Sequence, residues 1–170
     1  MTEIAEWNDA IDYETFLKNA RENVEIMKAR YTDFVLTDVD EDTLKEIKNK
    51  INILVIGIDR CDDTAGNVPI LAKMASYLAN VDVRILDSDK HTRFHENFRV
   101  NGKRKTPVVL FLSSDLKEIC RWIERPTAVY KLANGNEGLR KLYSDPEIMR
   151  QSLRELMNLL VRSDLILGRK

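Results

Sequence analysis

The chain has 170 residues, 44% of them hydrophobic, enough for a single domain with a buried core that needs no disulfide or metal staple. Its 27 basic and 28 acidic side chains leave a net charge of -1, which excludes a global field drawing the protein to nucleic acid or to an anionic membrane. No apolar run is long enough to span a bilayer, the N-terminus lacks a basic-then-apolar leader pattern, and two cysteines are too few for a disulfide framework, so a cytoplasmic, reducing location is expected.

Taken in order, Tyr13 to Tyr31 carries Phe16, Leu17, Ala20, Val24, Met27 and Tyr31 on one face and reads as one amphipathic helix. A short apolar segment, Phe34 to Leu36, precedes Asp40, Glu41 and Asp42, which are placed to cap a second helix from about Thr43 to Lys50. Ile53 to Ile58 is apolar and β-branched without polar alternation, the pattern of a strand covered on both faces. Asp62 and Asp63 then supply an N-cap and first-turn charge for a helix carrying Val68, Leu71, Ala72, Ala75 and Leu78. Val81 to Leu86 reads as a second strand, parallel to the first because a helix joins them. The polar connection from Asp87 to Val100 contains a short helix with Phe94 and Phe98 inward; His91 and His95 share its other spacing. No further ligand completes a coordination shell, so the two histidines are assigned to a solvated face and no metal is expected. After the Asn101-Gly102 turn come Lys103, Arg104 and Lys105, then Thr106-Pro107. The strands Val108 to Leu112 and Glu118 to Ile123 form an antiparallel hairpin. The remainder is helical: a segment after Pro126, interrupted near Gly135 and Gly138, and a strong helix after Asp145-Pro146 with Ile148, Met149, Leu153, Leu156, Leu159 and Leu160 inward.

Cys61 falls where the apolar strand becomes a helix. Backbone N–H groups at a helix start favour a thiolate over the free thiol, whose ordinary pKa is ~8.5. Asp62 and Asp63 oppose that shift, so the sequence contains competing effects.

This order of elements, with an apolar strand ending in Cys61, Pro69 eight residues later, Thr106-Pro107 opening a strand and an antiparallel strand ending near Trp122, resembles the thioredoxin fold. Arg60-Cys61-Asp62-Asp63-Thr64-Ala65-Gly66-Asn67-Val68-Pro69 and the later Arg-Trp-Ile-Glu-Arg-Pro look like a bacterial thioredoxin-like group whose corresponding stretch usually reads Trp-Cys-Gly-Asp-Cys or Trp-Cys-Gly-Asp-Ala before Asn-Val-Pro. The resemblance covers roughly residues 10 to 130. It implies an α/β fold, a central mixed β-sheet flanked by helices. A helical N-terminal extension over about 1–50 and C-terminal helices over about 126–170 would frame a core of about 51–125. It further implies a cis Pro107 beside Cys61 and pairing of the Thr106 backbone with an extended substrate segment.

The departures from that pattern direct the chemistry. Dithiol oxidoreductases resolve the mixed disulfide with a second cysteine at the fourth position of Cys-X-X-Cys, and here that position is Thr64. Arg60 replaces the usual aromatic and would favour a thiolate, while Thr64 would offer its hydroxyl to the sulfur. Val55 stands where the resemblance places a buried acid, and Cys120 is read as a core cysteine. Two functions follow. In the first, the chain is a monothiol thiol–disulfide oxidoreductase with Cys61 as nucleophile, Arg60 and Thr64 tuning it, and Thr106, Pro107 and Lys105 holding a client protein or a small thiol. Glutathione would then serve as co-substrate. In the second, it is a redox-inert module that binds a peptide or protein in the same groove. The run Lys103 to Lys105 has no aromatic platform behind it, so nucleic acid is not expected as a partner.

Overall fold

Five strands form one sheet in the computed structural model, which describes residues 2–168. They are β1 (Ile11–Asp12), β2 (Ile51–Gly57), β3 (Val81–Asp87), β4 (Val108–Leu112) and β5 (Glu118–Ile123), in spatial order β1-β3-β2-β4-β5. The helices are α1 (Tyr13–Asn19), α2 (Val24–Asp33), α3 (Asp38–Lys45), α4 (Asp62–Ala75), α5 (Thr92–His95), α6 (Thr127–Leu132), α7 (Leu139–Tyr143) and α8 (Pro146–Leu167). β2 is buried at every position, runs parallel to β3 and antiparallel to β4, and β5 completes the hairpin, so the mixed sheet expected from the hydrophobic runs forms. Alternation along β2 divides the interior. Ile53 and Val55 face Val68 and Leu71 of α4 and Leu153, Leu156 and Leu160 of α8, whereas Leu54 and Ile56 face Trp7, Leu110 and Phe98.

Three sequence expectations are corrected. The helix read over Tyr13 to Tyr31 is two helices. Asn23 adopts a left-handed conformation (φ 59°), and the Asp59 carboxylate, 38 and 37 residues away, accepts from the Arg21 and Glu22 backbone N–H groups at 2.8 and 3.2 Å. This long-range cap ties the α1–α2 turn to the loop before Cys61. The second helix starts at Asp38 rather than near Thr43, because Thr37 and Asp40 form a capping box: the Asp40 N–H donates to Thr37 Oγ1 (3.2 Å) and the Thr37 N–H to Asp40 Oδ2 (2.8 Å). The two-residue strand β1, antiparallel to β3, had no counterpart in the sequence reading, since two residues carry no period to detect.

The C-terminal extension packs on the sheet. Asp145 caps α8 and Pro146 opens it, and the helix is stapled at four levels: Arg150 pairs with Asp40 (2.6 Å), Ser152 donates to Asn67 (2.7 Å), Glu155 accepts from Trp122 Nε1 (2.9 Å), and Asp164 accepts from the Lys48 and Asn49 N–H groups (3.1 and 2.9 Å). No described helix is long and apolar enough to cross a membrane.

The closest approach between α4 and the extension is at Gly66. A Cβ there would lie 2.4–2.6 Å from Cγ, Cδ1 and Cδ2 of Tyr143, whose hydroxyl is fixed by hydrogen bonds to Asp63 and Asn67, so the ring cannot withdraw. Gly66→Ala is therefore expected to cost about 1–3 kcal/mol despite alanine's better helix propensity. Urea denaturation measures it; equal or greater stability in the variant would contradict this packing.

Candidate functional site

Cys61 is the N-cap of α4 (φ -80°, ψ 122°), with its carbonyl accepting the first helical bond from Ala65 N–H (3.0 Å). The half-buried thiol donates to the Thr106 carbonyl (3.5 Å), and the Thr106–Pro107 peptide bond is cis. A cleft of ≈ 430 Å³ opens beside the sulfur, lined by Arg60, Cys61, Asp63, Asp89, His95 and Thr106 among others. It lies beyond the carboxyl ends of the parallel strands β2 and β3, the usual place for a ligand site in an α/β sheet.

Charges around the thiol are paired. Asp62 receives Arg140 Nε (3.1 Å). Asp63, 4% exposed, is held by Arg125 through Nε (3.1 Å) and Nη2 (2.7 Å). The aspartates that the sequence sets against a Cys61 thiolate thus each meet a guanidinium from the C-terminal third of the chain. Arg60 is drawn to Asp89, which it grips through both Nη atoms (2.7 and 3.0 Å) at the exposed rim. Lys105 pairs with Glu124 (3.2 Å) and Arg104 with Glu96 (3.3 Å). The structure therefore brings Cys61, Arg60 and Thr106 around one cleft and directs Arg60 and Lys105 onto acidic partners. Thr64 is fully buried against Gly57, its hydroxyl without a hydrogen-bond partner among the described residues, so it does not serve the sulfur as the sequence suggested.

Cys120 is half-buried against the core, its Sγ 3.2 Å from Ser163 Oγ, and burial pushes its thiol up. In the β4–β5 register it opposes Phe111 while Ile123 opposes Val108, placing it roughly 10 Å along the strand from the Pro107 end at ~3.3 Å per residue.

Four site residues were missed in the sequence. His95 was assigned to a solvated face but is 3% exposed and lines the cleft; its partner His91 is also tucked in, Nδ1 3.1 Å from the Asp87 carbonyl and Nε2 3.6 Å from Asp9. Helical spacing places residues on one face without saying what covers that face. Glu124, Arg125 and Tyr143 lie behind the cleft and reach it through Asp63 and Lys105. The chain leaves β5 with Glu124 in a left-handed conformation (φ 73°), which turns its carboxylate between Lys105 and Arg125 (3.2 and 3.3 Å). Arg125 also donates to the Gly135 carbonyl and to Asn136 (both 3.1 Å). The one sequence signal for this group is the Glu-Arg-Pro that follows Trp122-Ile123.

Burial raises the Asp63 carboxyl above the ordinary carboxylate range, and Arg125 and the Tyr143 hydroxyl pull it back down. A carboxyl raised in the folded state contributes stability at low pH that is lost as pH rises through its folded value. Removing Arg125 deletes the largest downward pull and leaves a buried charge unpaired. Arg125→Met is therefore expected to cost about 3–5 kcal/mol at neutral pH and measurably less as the pH falls and the Asp63 carboxyl takes up its proton. Denaturation at several pH values tests this; a loss that does not depend on pH would reject the assignment to Asp63.

A protein of unknown function from Pseudomonas aeruginosa superposes with a TM-score of 0.74 at 19% identity, over 94% of this chain and 98% of that one. An HIV epitope-scaffold gives a TM-score of 0.71, also at 19% identity, over 99% and 100% of the two chains. At such identity these neighbours speak to the fold. No curated protein matches the chain. The family model described as Thioredoxin matches residues 10–141, most of the sequence, and on that match the chain belongs to the thioredoxin family.

Proposed function

We propose that the chain carries out monothiol thiol–disulfide exchange, with Cys61 forming a mixed disulfide with a client protein. The observation that carries this reading is the position of the Cys61 sulfur, at the start of a 14-residue helix, open to a cleft and 3.5 Å from the carbonyl that precedes Pro107. In the exchange the Cys61 thiolate attacks one sulfur of the client disulfide. That S–S bond breaks, a Cys61–client S–S bond forms, and the second client sulfur leaves as a thiolate. Thr64 cannot resolve this adduct, so a thiol from outside the chain attacks it and releases Cys61 as thiolate.

Two features favour a protein client over glutathione. Arg60, Arg104 and Lys105, the cations that would meet the carboxylates of glutathione, are already paired with Asp89, Glu96 and Glu124. The Thr106 N–H has no hydrogen-bond partner among the described residues and is available to the backbone of an extended client segment. A redox-inert binding module is the second reading. It is supported by Thr64 and Arg60, which are turned to Gly57 and Asp89 and give the sulfur no help.

Mass spectrometry of the reduced protein, incubated with a disulfide-bonded peptide or with oxidised glutathione, separates these readings. Exchange predicts an adduct at Cys61 in the wild type and in Cys120→Ala, none at that site in Cys61→Ser, and faster reaction with the peptide. A folded protein that forms no adduct with either reagent, while the unfolded chain does, would leave the binding module.

A further inference from the structure

We infer that His95 is a positioning residue for the Cys61 site: its imidazole fixes the Lys105–Thr106 peptide that a bound client segment pairs with. This rests on the exchange reading above for its consequence, and on geometry for its cause. His95 Nε2 lies 2.8 Å from the Lys105 carbonyl. A carbonyl can only accept, so Nε2 carries the hydrogen. His95 is 3% exposed and lines the same cleft as Cys61, and its backbone N–H donates to the carbonyl of His91 (3.0 Å), the N-cap of α5. The donor residue is therefore buried and its backbone anchored.

What it holds has little else to hold it. Val100 and Lys103 bond to each other across the Asn101-Gly102 turn (2.9 and 3.1 Å), and ladder pairing resumes at Val108. Between these points, among the described residues, the main chain of 104–106 receives two hydrogen bonds: His95 onto the Lys105 carbonyl and the Cys61 thiol onto the Thr106 carbonyl. The ion pairs Arg104–Glu96 and Lys105–Glu124 hold side-chain tips and leave the peptide planes free to turn. Because a trans peptide is planar, with its C=O and N–H pointing in opposite directions, fixing the Lys105 carbonyl also fixes the direction of the Thr106 N–H. His95 thus aims the Thr106 N–H, a main-chain donor unpartnered among the described residues, without touching the sulfur itself.

The test compares wild type with His95→Leu, which fills similar space without a donor, and His95→Gln, whose side-chain amide restores an N–H. Each protein is reacted with a disulfide-bonded peptide and, separately, with iodoacetamide, which has no peptide backbone to align. Positioning predicts that His95→Leu slows the peptide reaction about tenfold while iodoacetamide labelling of Cys61 stays within about twofold, and that His95→Gln recovers most of the loss. Parallel loss with both reagents, an unchanged peptide rate in a folded His95→Leu, or no recovery in His95→Gln would overturn the proposal. Amide ¹⁵N relaxation at Thr106 decides it independently of sulfur chemistry. An order parameter of ~0.85 in wild type and His95→Gln should fall below ~0.6 in His95→Leu, and equal values in all three proteins would overturn it. A wild type that forms no mixed disulfide removes the exchange reading and leaves the His95 assignment to the relaxation data.

Discussion

The buried pair between Asp63 in the first turn of α4 and Arg125 just beyond β5 is the interaction on which the rest of this architecture depends. Both side chains are more than nine-tenths buried, and taking two charges out of water is favourable only when every donor and acceptor is met. Here they are met. Arg125 supplies two bonds to Asp63 and one each to Gly135 and Asn136, while Tyr143 donates to Asp63. Asn67 donates to the Tyr143 hydroxyl and accepts from Ser152. One connected network thus joins α4, the end of β5, α7 and α8. It explains why the tight seam at Gly66 is tolerated: the Tyr143 ring is drawn onto α4 by its hydroxyl, and only a residue without a side chain leaves it room.

The same network sets the electrostatics behind Cys61. Two adjacent acids would burden a thiol, but each has a guanidinium assigned to it, Arg125 buried and Arg140 at the surface. The rim follows the same rule, with Arg60, Arg104 and Lys105 each opposite a carboxylate. A cleft so balanced has no strong preference for an anion. On the exchange proposed above, recognition would rest on its shape and on the backbone groups of the Thr106 segment, as for an extended polypeptide. The C-terminal segment, which the sequence left without a role, reaches this site through Asn136 and Leu139, which line the cleft, and through Tyr143, which donates to Asp63 behind it.

Much of the fold was legible because its signals are local. The unbroken apolar run of β2, the hairpin of β4 and β5, the Asp-led α4 and the Asp145-Pro146 start of α8 all declare themselves within a few residues. Where the reading failed, the deciding partner was either distant or a local cap outside the acidic run. Asp59 splits the first helix from 37 and 38 residues away, and the capping box at Thr37 and Asp40 outweighed the acidic run that follows it. His95 and His91 share a helical spacing that says they are neighbours, yet only the packed chain shows what covers them.

The sequence by itself determined the four long strands and the helices α4 and α8, that Cys61 stands at a helix start, and that no second cysteine follows at position 64. Those are properties of composition and spacing, which act along the chain. Tertiary structure alone decided that Asp63 meets Arg125, that Thr64 turns to Gly57, that Arg60 leaves the thiol for Asp89, and that His95 holds the Lys105 carbonyl. A charge or a donor acts on whatever lies within a few ångströms of it, and for these residues that neighbour is set by how the chain returns, not by what stands beside it in sequence.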